Sequence, residues 1–278
     1  MASFLEKEDY TEPRCLICDV DPNSEQAKVQ AVPVGRVLEK FDAFLNKNDY
    51  DAAKRHLLYW IEEAKAGHDD RGLFTLTNEW MGLARKLSLG EEAIRAAEET
   101  LALIEKLGMG EHVAAATALL NAGTVYKAFG NAAKGLPLFE EAKRIYEANL
   151  APSDARLAGL YNNMALALVD LGRFDEAKSA YDKAFAICEA APEHYGDAAI
   201  TLLNKANLIE AQKGLEEGND EILAYLDRAQ KMLDSEELER DGYYAFVCEK
   251  CAPTFGYYGY FAYQNALETR ARSIYERT

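Results

Sequence analysis

The stretch LAGLYNNMALALVDLGRFDEAKSAYDKAFAI, residues 157–187, decides the fold of this 278-residue chain. Its apolar side chains recur at helical spacing both before and after Gly172. One face of the first segment carries Tyr161, Met164, Ala165 and Leu168, and one face of the second carries Phe174, Ala177, Tyr181 and Ala184. Because glycine readily adopts the positive φ angle that ends many helices, the stretch predicts two helices joined at Gly172.

The same pattern returns along nearly the whole chain. Residues that tolerate a positive φ angle recur at intervals of 42, 40, 42, 42 and 42 residues, at Asn48, Gly90, Gly130, Gly172, Gly214 and Gly256. A single helix pair cannot bury its own apolar face, so it must stack on its neighbours. The period therefore predicts an all-α solenoid that presents an extended surface rather than one enclosed pocket.

Small residues mark the expected contact between the two helices of a pair. In the stretch quoted above, Ala165 and Ala177 let two helix backbones approach closely, while aromatic rings fill the space around that contact. In the preceding copy, Gly135 stands where the alanine of the second helix belongs.

These residues resemble the tetratricopeptide repeat. That family places large apolar, small and aromatic residues on its first helix, a glycine at the turn, and an aromatic residue and alanines on its second helix. The fourth copy matches at the eight positions given above and at Gly172, and the third copy matches at Leu119, Ala122, Gly123, Tyr126, Gly130, Phe139 and Ala142. The 42-residue period resembles the longer-helix subclass typified by kinesin light chain.

The resemblance covers about residues 34–276 and implies a right-handed superhelical solenoid of about six helix-turn-helix repeats, with atypical terminal repeats. Residues 1–33 carry three prolines, mixed charge and no sustained helical period. We therefore expect an extended N-terminal arm over residues 1–33 and the solenoid over residues 34–278.

The chain is strongly acidic, with 47 acidic and 31 basic residues and a net charge of −16. This charge repels nucleic acid and anionic lipid, and no local basic stripe offsets it. The N-terminal sequence MASFLEKEDY has neither a basic start nor an apolar run, and no stretch reaches the ~18 apolar residues of a membrane span. We therefore predict a cytoplasmic protein that binds neither nucleic acid nor membrane.

The resemblance implies that extended peptides or partner proteins bind on a concave surface lined by the first helix of each pair. The register places six polar side chains on that surface: Asn121, Lys127, Asn162, Asn163, Asn204 and Lys205. Since an amide side chain both donates and accepts hydrogen bonds, a ladder of amides can pair with a peptide backbone of any sequence. The alternative is that these are ordinary solvated or inter-helix amides.

No motif of an enzyme active site is present in the sequence. A nucleophile elbow, a phosphate-binding loop and an HExxH pattern are all missing, and the four histidines have no carboxylate or serine at a meaningful spacing. We therefore predict a non-enzymatic scaffold that needs no cofactor and binds a protein or an extended peptide.

Two CxxC motifs at opposite ends of the chain suggest a different function. Cys15 with Cys18, and Cys248 with Cys251, have the spacing at which two thiolates reach one metal ion. An arm of 33 extended residues reaches up to ~110 Å, so the two pairs can meet in one chain or between two chains. A zinc or redox module is therefore the alternative function, and buried free thiols are the competing interpretation.

An aromatic cluster near the C-terminus includes Phe255, Tyr257, Tyr258, Tyr260, Phe261 and Tyr263. Rings on several sides of a helix imply burial on more than one side, so something beyond the fifth copy should cover them. The N-terminal arm is one candidate cover, and a second copy of the chain in a homodimer is another.

Overall fold

The computed structural model describes residues 29–277, which contain eleven α-helices, one short 3₁₀ helix and no β-strand. The helices are α1 (Val34–Leu45), α2 (Tyr50–Ala66), α3 (Asp70–Lys86), α4 (Gly90–Lys106), α5 (Val113–Ala128), α6 (Ala132–Asn149), α7 (Ala155–Asp170), α8 (Phe174–Glu189), α9 (Tyr195–Leu233), α10 (Gly242–Tyr257) and α11 (Phe261–Tyr275). The all-α fold predicted from the sequence is confirmed. Within the same residues, no helix is both long and apolar enough to traverse a bilayer.

Helix α9 supplies both members of the fifth helix pair. Its backbone leaves helical geometry at Gly214, where φ is 80° and ψ is 172°. We refer to residues 195–213 as α9a and to residues 215–233 as α9b. With α9 divided in this way, the described part of the chain contains the six helix-turn-helix pairs that the repeat period predicts.

The described residues divide into two compact units, residues 29–80 and residues 81–277, and the division falls inside α3. In the first unit, α1 packs on α2 and buries Val37, Phe41 and Leu57. Apolar residues spaced three to four positions apart thus form the face through which α1 and α2 pack, as the periodicity indicates.

The residues just before α1 bind the turn between α2 and α3. The backbone N–H of Gln30 donates to the carbonyl of Gly67 at 2.8 Å. Asp69 is buried, and its carboxylate accepts from the backbone N–H of Val32 at 2.9 Å and from that of Gly72 at 2.9 Å. One side chain therefore caps the start of α3 and holds the incoming chain. The rest of the predicted arm, residues 1–28, lies outside the described residues.

In the second unit, each helix packs on the next along the chain from α4 to α11. Small residues mark the contact between α5 and α6, where a Cβ atom on Gly135 would lie 2.7 Å from the carbonyl oxygen of Gly123. Ala165 and Ala177 occupy the corresponding positions of the fourth pair, and both are fully buried. Close packing through small residues is the arrangement that the sequence predicts for these helices.

The turn residues differ from the prediction in two pairs. Positive φ angles occur at Asn48, Gly130, Gly172 and Gly214, as expected. In the second pair, however, the left-handed residue is Ser88 (φ 59°), and Gly90 is the first residue of α4. In the sixth pair it is Gly259 (φ 87°), and Gly256 lies inside α10.

The two misassigned glycines have a packing role instead. A Cβ atom on Gly90 would lie 3.1 Å from the ring of Phe129, and one on Gly256 would overlap the side-chain amide of Gln264. Gly90 therefore favours a residue without a side chain, whereas a side chain at position 256 would require the flexible Gln264 to move, and neither position needs the left-handed conformation. The sequence period includes both glycines, but the prediction that they adopt a positive φ angle is wrong.

Candidate functional site

The first helices of successive pairs contact one another in the second unit. Helix α5 contacts α7, and α7 contacts α9. Helix α10 continues the row, since Tyr258 at its C-terminal end donates from its hydroxyl to the side-chain oxygen of Asn207 at 3.0 Å. We call the side of α5, α7, α9a and α10 that faces away from the second helices the inner surface. It includes Leu120, Lys127, Asn162, Leu166, Asn204, Asn207 and Phe246, all at least partly exposed.

Two of the predicted site residues meet at the centre of the inner surface. The side-chain amide of Asn204 on α9a donates to the side-chain oxygen of Asn162 on α7 at 3.0 Å. The two residues are 42 positions apart and therefore occupy equivalent places in consecutive pairs. This contact uses one N–H of Asn204 and the side-chain oxygen of Asn162, whereas each amide carries both an NH₂ group and an oxygen. Both side chains are only partly buried.

A second cross-link lies between α5 and α7. The ammonium of Lys127 is 3.5 Å from a carboxylate oxygen of Asp170, with both side chains partly exposed. Asn121 is half-buried on α5. The amide of Asn163 donates to the carbonyl of Gly159 in its own helix at 2.8 Å. Polar side chains thus line α5 and α7, and one ion pair joins the two helices.

Lys205 points away from Asn204 although the two are adjacent in sequence. Successive residues of a helix are rotated by about 100°, which turns Lys205 toward the second helices. Its ammonium donates to the carboxylate of Asp182 on α8 at 2.6 Å and lies 5.0 Å from the ring centroid of Tyr225. Lys205 is buried, and it joins α9a to α8 rather than reaching the surface that carries Asn204.

Helix α10, the first helix of the sixth pair, carries exposed aromatic rings. Tyr243 is 44% exposed, Phe246 is 42% exposed and Tyr257 is 65% exposed. The rings of Tyr243 and Phe246 are stacked, with centroids 6.1 Å apart and planes inclined by 28°. Within the predicted aromatic cluster, Tyr257 and Phe261 are 65% and 66% exposed and Phe255 is fully buried, so the described residues cover the cluster only in part.

Tyrosine hydroxyls attach the sixth pair to carboxylates of the fifth. Tyr243 donates to Asp197 at 2.5 Å, Tyr258 donates to Glu210 at 2.7 Å, and Tyr263 donates to Asp234 at 2.9 Å. Burial and then the neighbouring carboxylate raise the pKa of Tyr243, Tyr258 and Tyr263. Tyr257 also donates to Glu210, and this hydrogen bond is the main cause of its raised pKa.

Reasoning from the sequence missed Asp197 and Glu210. Asp197, Ile200, Asn204 and Asn207 follow the i, i+3, i+7, i+10 spacing of one helix face. The signal that could have identified Asp197 is this largely polar face opposite the apolar residues of the same helix, whereas Glu210 lies about 140° around the helix from Asp197. A comparison restricted to positions that are equivalent between copies does not detect it.

The C-terminal CxxC motif lies in the core. Cys248 and Cys251 are free thiols, fully buried on α10. Burial raises the pKa of both thiols, which disfavours the thiolate needed for metal binding or redox chemistry. Cys15 and Cys18 lie outside the described residues, so the four-thiol site stays a prediction. Within residues 29–277, no group of three or more histidine, cysteine or acidic side chains is placed to hold a metal ion.

A family model for the tetratricopeptide repeat matches residues 74–148 and 156–217. The chain belongs to the tetratricopeptide-repeat family. The match spans α3 to α9a, so it includes Asn162, Asn204 and most of the inner surface. A comparison with curated proteins finds no significant sequence match.

Solved structures of similar fold include kinesin light chain-like proteins. A putative kinesin light chain with nearly identical tetratricopeptide-like repeats from Podosopora anserina is 16% identical, covers 71% of this chain and 92% of its own, and has a TM-score of 0.50. A point variant of the same protein is 17% identical, covers 74% and 95%, and has a TM-score of 0.53. A Rap protein complexed with competence and sporulation factor is 12% identical, covers 88% and 75%, and has a TM-score of 0.51. This tetratricopeptide-repeat protein shares its fold with all three.

Proposed function

We propose that this tetratricopeptide-repeat protein is a non-enzymatic scaffold that binds an extended peptide or a peptide-like segment of a protein along its inner surface. The observation that supports this most directly is the amide pair of Asn162 and Asn204, which bridges two first helices at the centre of that surface. A pair of amides that are held in place and still partly exposed can donate to and accept from a peptide backbone.

The surroundings of the amide pair suit an extended ligand. Lys127 and Asp170 lie on one side of it, and the exposed rings of Tyr243 and Phe246 lie on the other. Polar backbone contacts at the centre with aromatic contacts at one end are a common arrangement in peptide recognition. We retain Asn121, Asn163 and Lys127 as proposed peptide contacts, and we assign Lys205 the task of positioning α9a through Asp182.

The fold comparison is compatible with this proposal. The Rap protein of similar fold was solved in complex with competence and sporulation factor. An arrangement of stacked helix pairs of this kind therefore accommodates a bound factor in at least one protein.

Selection of peptides from a random library tests the proposal. The full chain is immobilised and exposed to a display library of random peptides, and enriched peptides are synthesised for affinity measurement. We expect the double substitution Asn162→Ala with Asn204→Ala to weaken binding of these peptides about tenfold, since two to three backbone hydrogen bonds of about 0.5 kcal/mol each are lost.

The matched control is Asn265→Ala, which removes an exposed amide from the second helix α11. This variant should bind like the unmodified chain. If no peptide is enriched, or if the double variant binds as tightly as the control, the inner surface is not a peptide site.

A further inference from the structure

The inner surface of the fifth and sixth pairs carries two carboxylates without a basic partner. Asp197 accepts a hydrogen bond from Tyr243, and Glu210 accepts from Tyr257 and Tyr258. Within residues 29–277, no lysine or arginine nitrogen lies within ion-pair distance of either carboxylate. Each is therefore a partly exposed negative charge whose contacts are neutral phenols.

Aromatic ring faces flank these charges. Tyr243 and Phe246 present stacked and exposed rings near Asp197, and Tyr257 presents an exposed ring near Glu210. The negative face of an aromatic ring attracts a cation, and a guanidinium can stack on such a ring while it binds a carboxylate. Carboxylate and ring together favour an arginine side chain over a neutral or acidic one.

The two carboxylates have a fixed separation. Asp197 and Glu210 are 13 residues apart on the uninterrupted helix α9a. A rise of 1.5 Å per residue puts their backbones about 20 Å apart. An extended peptide advances about 3.3 Å per residue, so two residues about six positions apart match this axial distance, and the length of an arginine side chain spans the lateral offset between the carboxylates.

Asn204 and Asn207 lie between the two carboxylates along α9a, and both side chains are at least partly exposed. Asn204 is bonded to Asn162, and Asn207 accepts from Tyr258. A peptide whose ends are fixed at Asp197 and Glu210 would pass over these amides. Asn204, one of the proposed backbone contacts, therefore lies between the two charged sites along α9a.

We propose that the ligand is an extended peptide with two basic side chains, preferably arginines, about six positions apart, bound at Asp197 and Glu210 and beside the rings of Tyr243, Phe246 and Tyr257. This inference rests on the proposed peptide-binding function and specifies its ligand. Charge complementarity supports it, since the whole chain carries a net charge of −16.

Lys250 allows a test of whether the ligand is basic or acidic. Its ammonium lies 5.6 Å from the ring centroid of Phe246, so it already places one cation on this surface. A basic ligand competes with this lysine, whereas an acidic ligand would use it. Lys250→Ala should therefore strengthen binding of a basic peptide about twofold and would weaken binding of an acidic one.

The experiment uses a fluorescein-labelled peptide of glycine, serine and alanine that carries two arginines six positions apart, with affinity measured by fluorescence anisotropy on the full chain. A second peptide replaces both arginines with citrulline, which keeps the shape and removes the charge. A third has the same two arginines side by side. We expect the first peptide to bind about tenfold more tightly than either of the others.

The double substitution Asp197→Asn with Glu210→Gln removes both charges and keeps oxygens that can accept from the tyrosines. It should reduce binding of the diarginine peptide about tenfold and leave the citrulline peptide unchanged. The matched control is Glu249→Gln, because Glu249 also accepts from a tyrosine, Tyr275, at 3.1 Å but is directed toward α11. This control should not alter binding.

Three results would overturn the inference. They are equal affinity for the arginine and citrulline peptides, equal affinity for the separated and adjacent arginines, and weaker binding by the Lys250→Ala variant. If random peptides are enriched but contain no paired basic residues, the inference fails while the peptide-binding function stands. If no random peptide is enriched, both fail.

Discussion

The backbones of Gly123 and Gly135 approach so closely that a Cβ atom on Gly135 would lie 2.7 Å from the carbonyl oxygen of Gly123. A carbonyl in a helix cannot move without breaking its own hydrogen bond, so the space at this contact is rigid. The two residues fix the distance between α5 and α6, and that distance positions the part of the inner surface that carries Lys127.

Gly135→Ala should destabilise the protein. The added methyl group meets backbone, so the cost of overpacking, about 1–3 kcal/mol, exceeds the gain of about 1 kcal/mol from better helix propensity. Urea unfolding followed by circular dichroism measures the difference. The control is Gly159→Ala on α7, where a Cβ atom would have no neighbour within 4 Å and stability should rise by about 0.5–1 kcal/mol. A gain in both variants would show that α5 and α6 are not in close contact.

The turns of the second and fourth pairs should respond to substitution with opposite signs. Ser88 has a φ angle of 59° and Gly172 has one of 71°, and only glycine adopts this conformation without strain. Ser88→Gly should therefore raise the unfolding free energy by up to about 1 kcal/mol, and Gly172→Ala should lower it by about 1–2 kcal/mol. Thermal unfolding of both variants checks the pair. A lower melting temperature for Ser88→Gly would contradict the left-handed turn at Ser88.

The attachment of the sixth pair to the fifth should weaken at alkaline pH. Burial and hydrogen bonds to carboxylates raise the pKa of Tyr258 and Tyr263 above that of an unfolded tyrosine. The protonated phenols are therefore favoured in the folded state, so their contribution is fully present below about pH 10 and is lost as the pH rises further. Denaturant midpoints at pH 8 and at pH 11 should show this loss.

Tyr258→Phe with Tyr263→Phe provides the matched variant for the alkaline experiment. It should lower stability at pH 8 and make stability less sensitive to a rise in pH. Tyr59→Phe changes a ring that is 57% exposed on α2 and serves as the control. If the double variant and the control lose stability equally between the two pH values, the tyrosine contacts do not cause the alkaline effect.

The buried thiols should be unreactive in the native protein. Burial raises the pKa of Cys188 to about 12 and raises that of Cys248 and Cys251 as well. In a Cys15→Ser, Cys18→Ser background, a thiol reagent at pH 8 should label none of the three until denaturant is added. Rapid labelling of Cys248 or Cys251 in the folded variant would favour the redox alternative.

The helix pairs and their order could be predicted from the sequence because their signals are local. Apolar side chains at helical spacing and a turn residue at a fixed interval require no knowledge of the rest of the chain. The predicted turn residue is wrong in two pairs because glycine occurs for two reasons. At Gly172 it supplies the φ angle, whereas at Gly90 and Gly256 it leaves room for a neighbouring side chain.

The site could be predicted only in part. Comparing equivalent positions of the repeats indicates which helix face a residue occupies, but it does not show which side chain that residue contacts. The 42-residue separation of Asn162 and Asn204 pairs them, and the structure joins them by a hydrogen bond. The same equivalence places Lys205 beside them, because Asn163 and Asn121 occupy its position in other copies. Its long side chain instead reaches Asp182, and only the structure shows a carboxylate on α8 at that distance.

The contact between Asn162 and Asn204 joins residues that are only one repeat, 42 positions, apart in the sequence. Within the described part of the second unit, helix pairs pack on the pairs next to them along the chain. Under a pulling force, the helix pairs of such a chain should unfold one after another, because its stability is a sum of contacts between neighbouring pairs. Stretched between its ends in an optical trap, the unit should lengthen in a series of similar steps, each releasing about 40 residues. A stack of this kind can lose one helix pair under load while the remaining pairs stay folded.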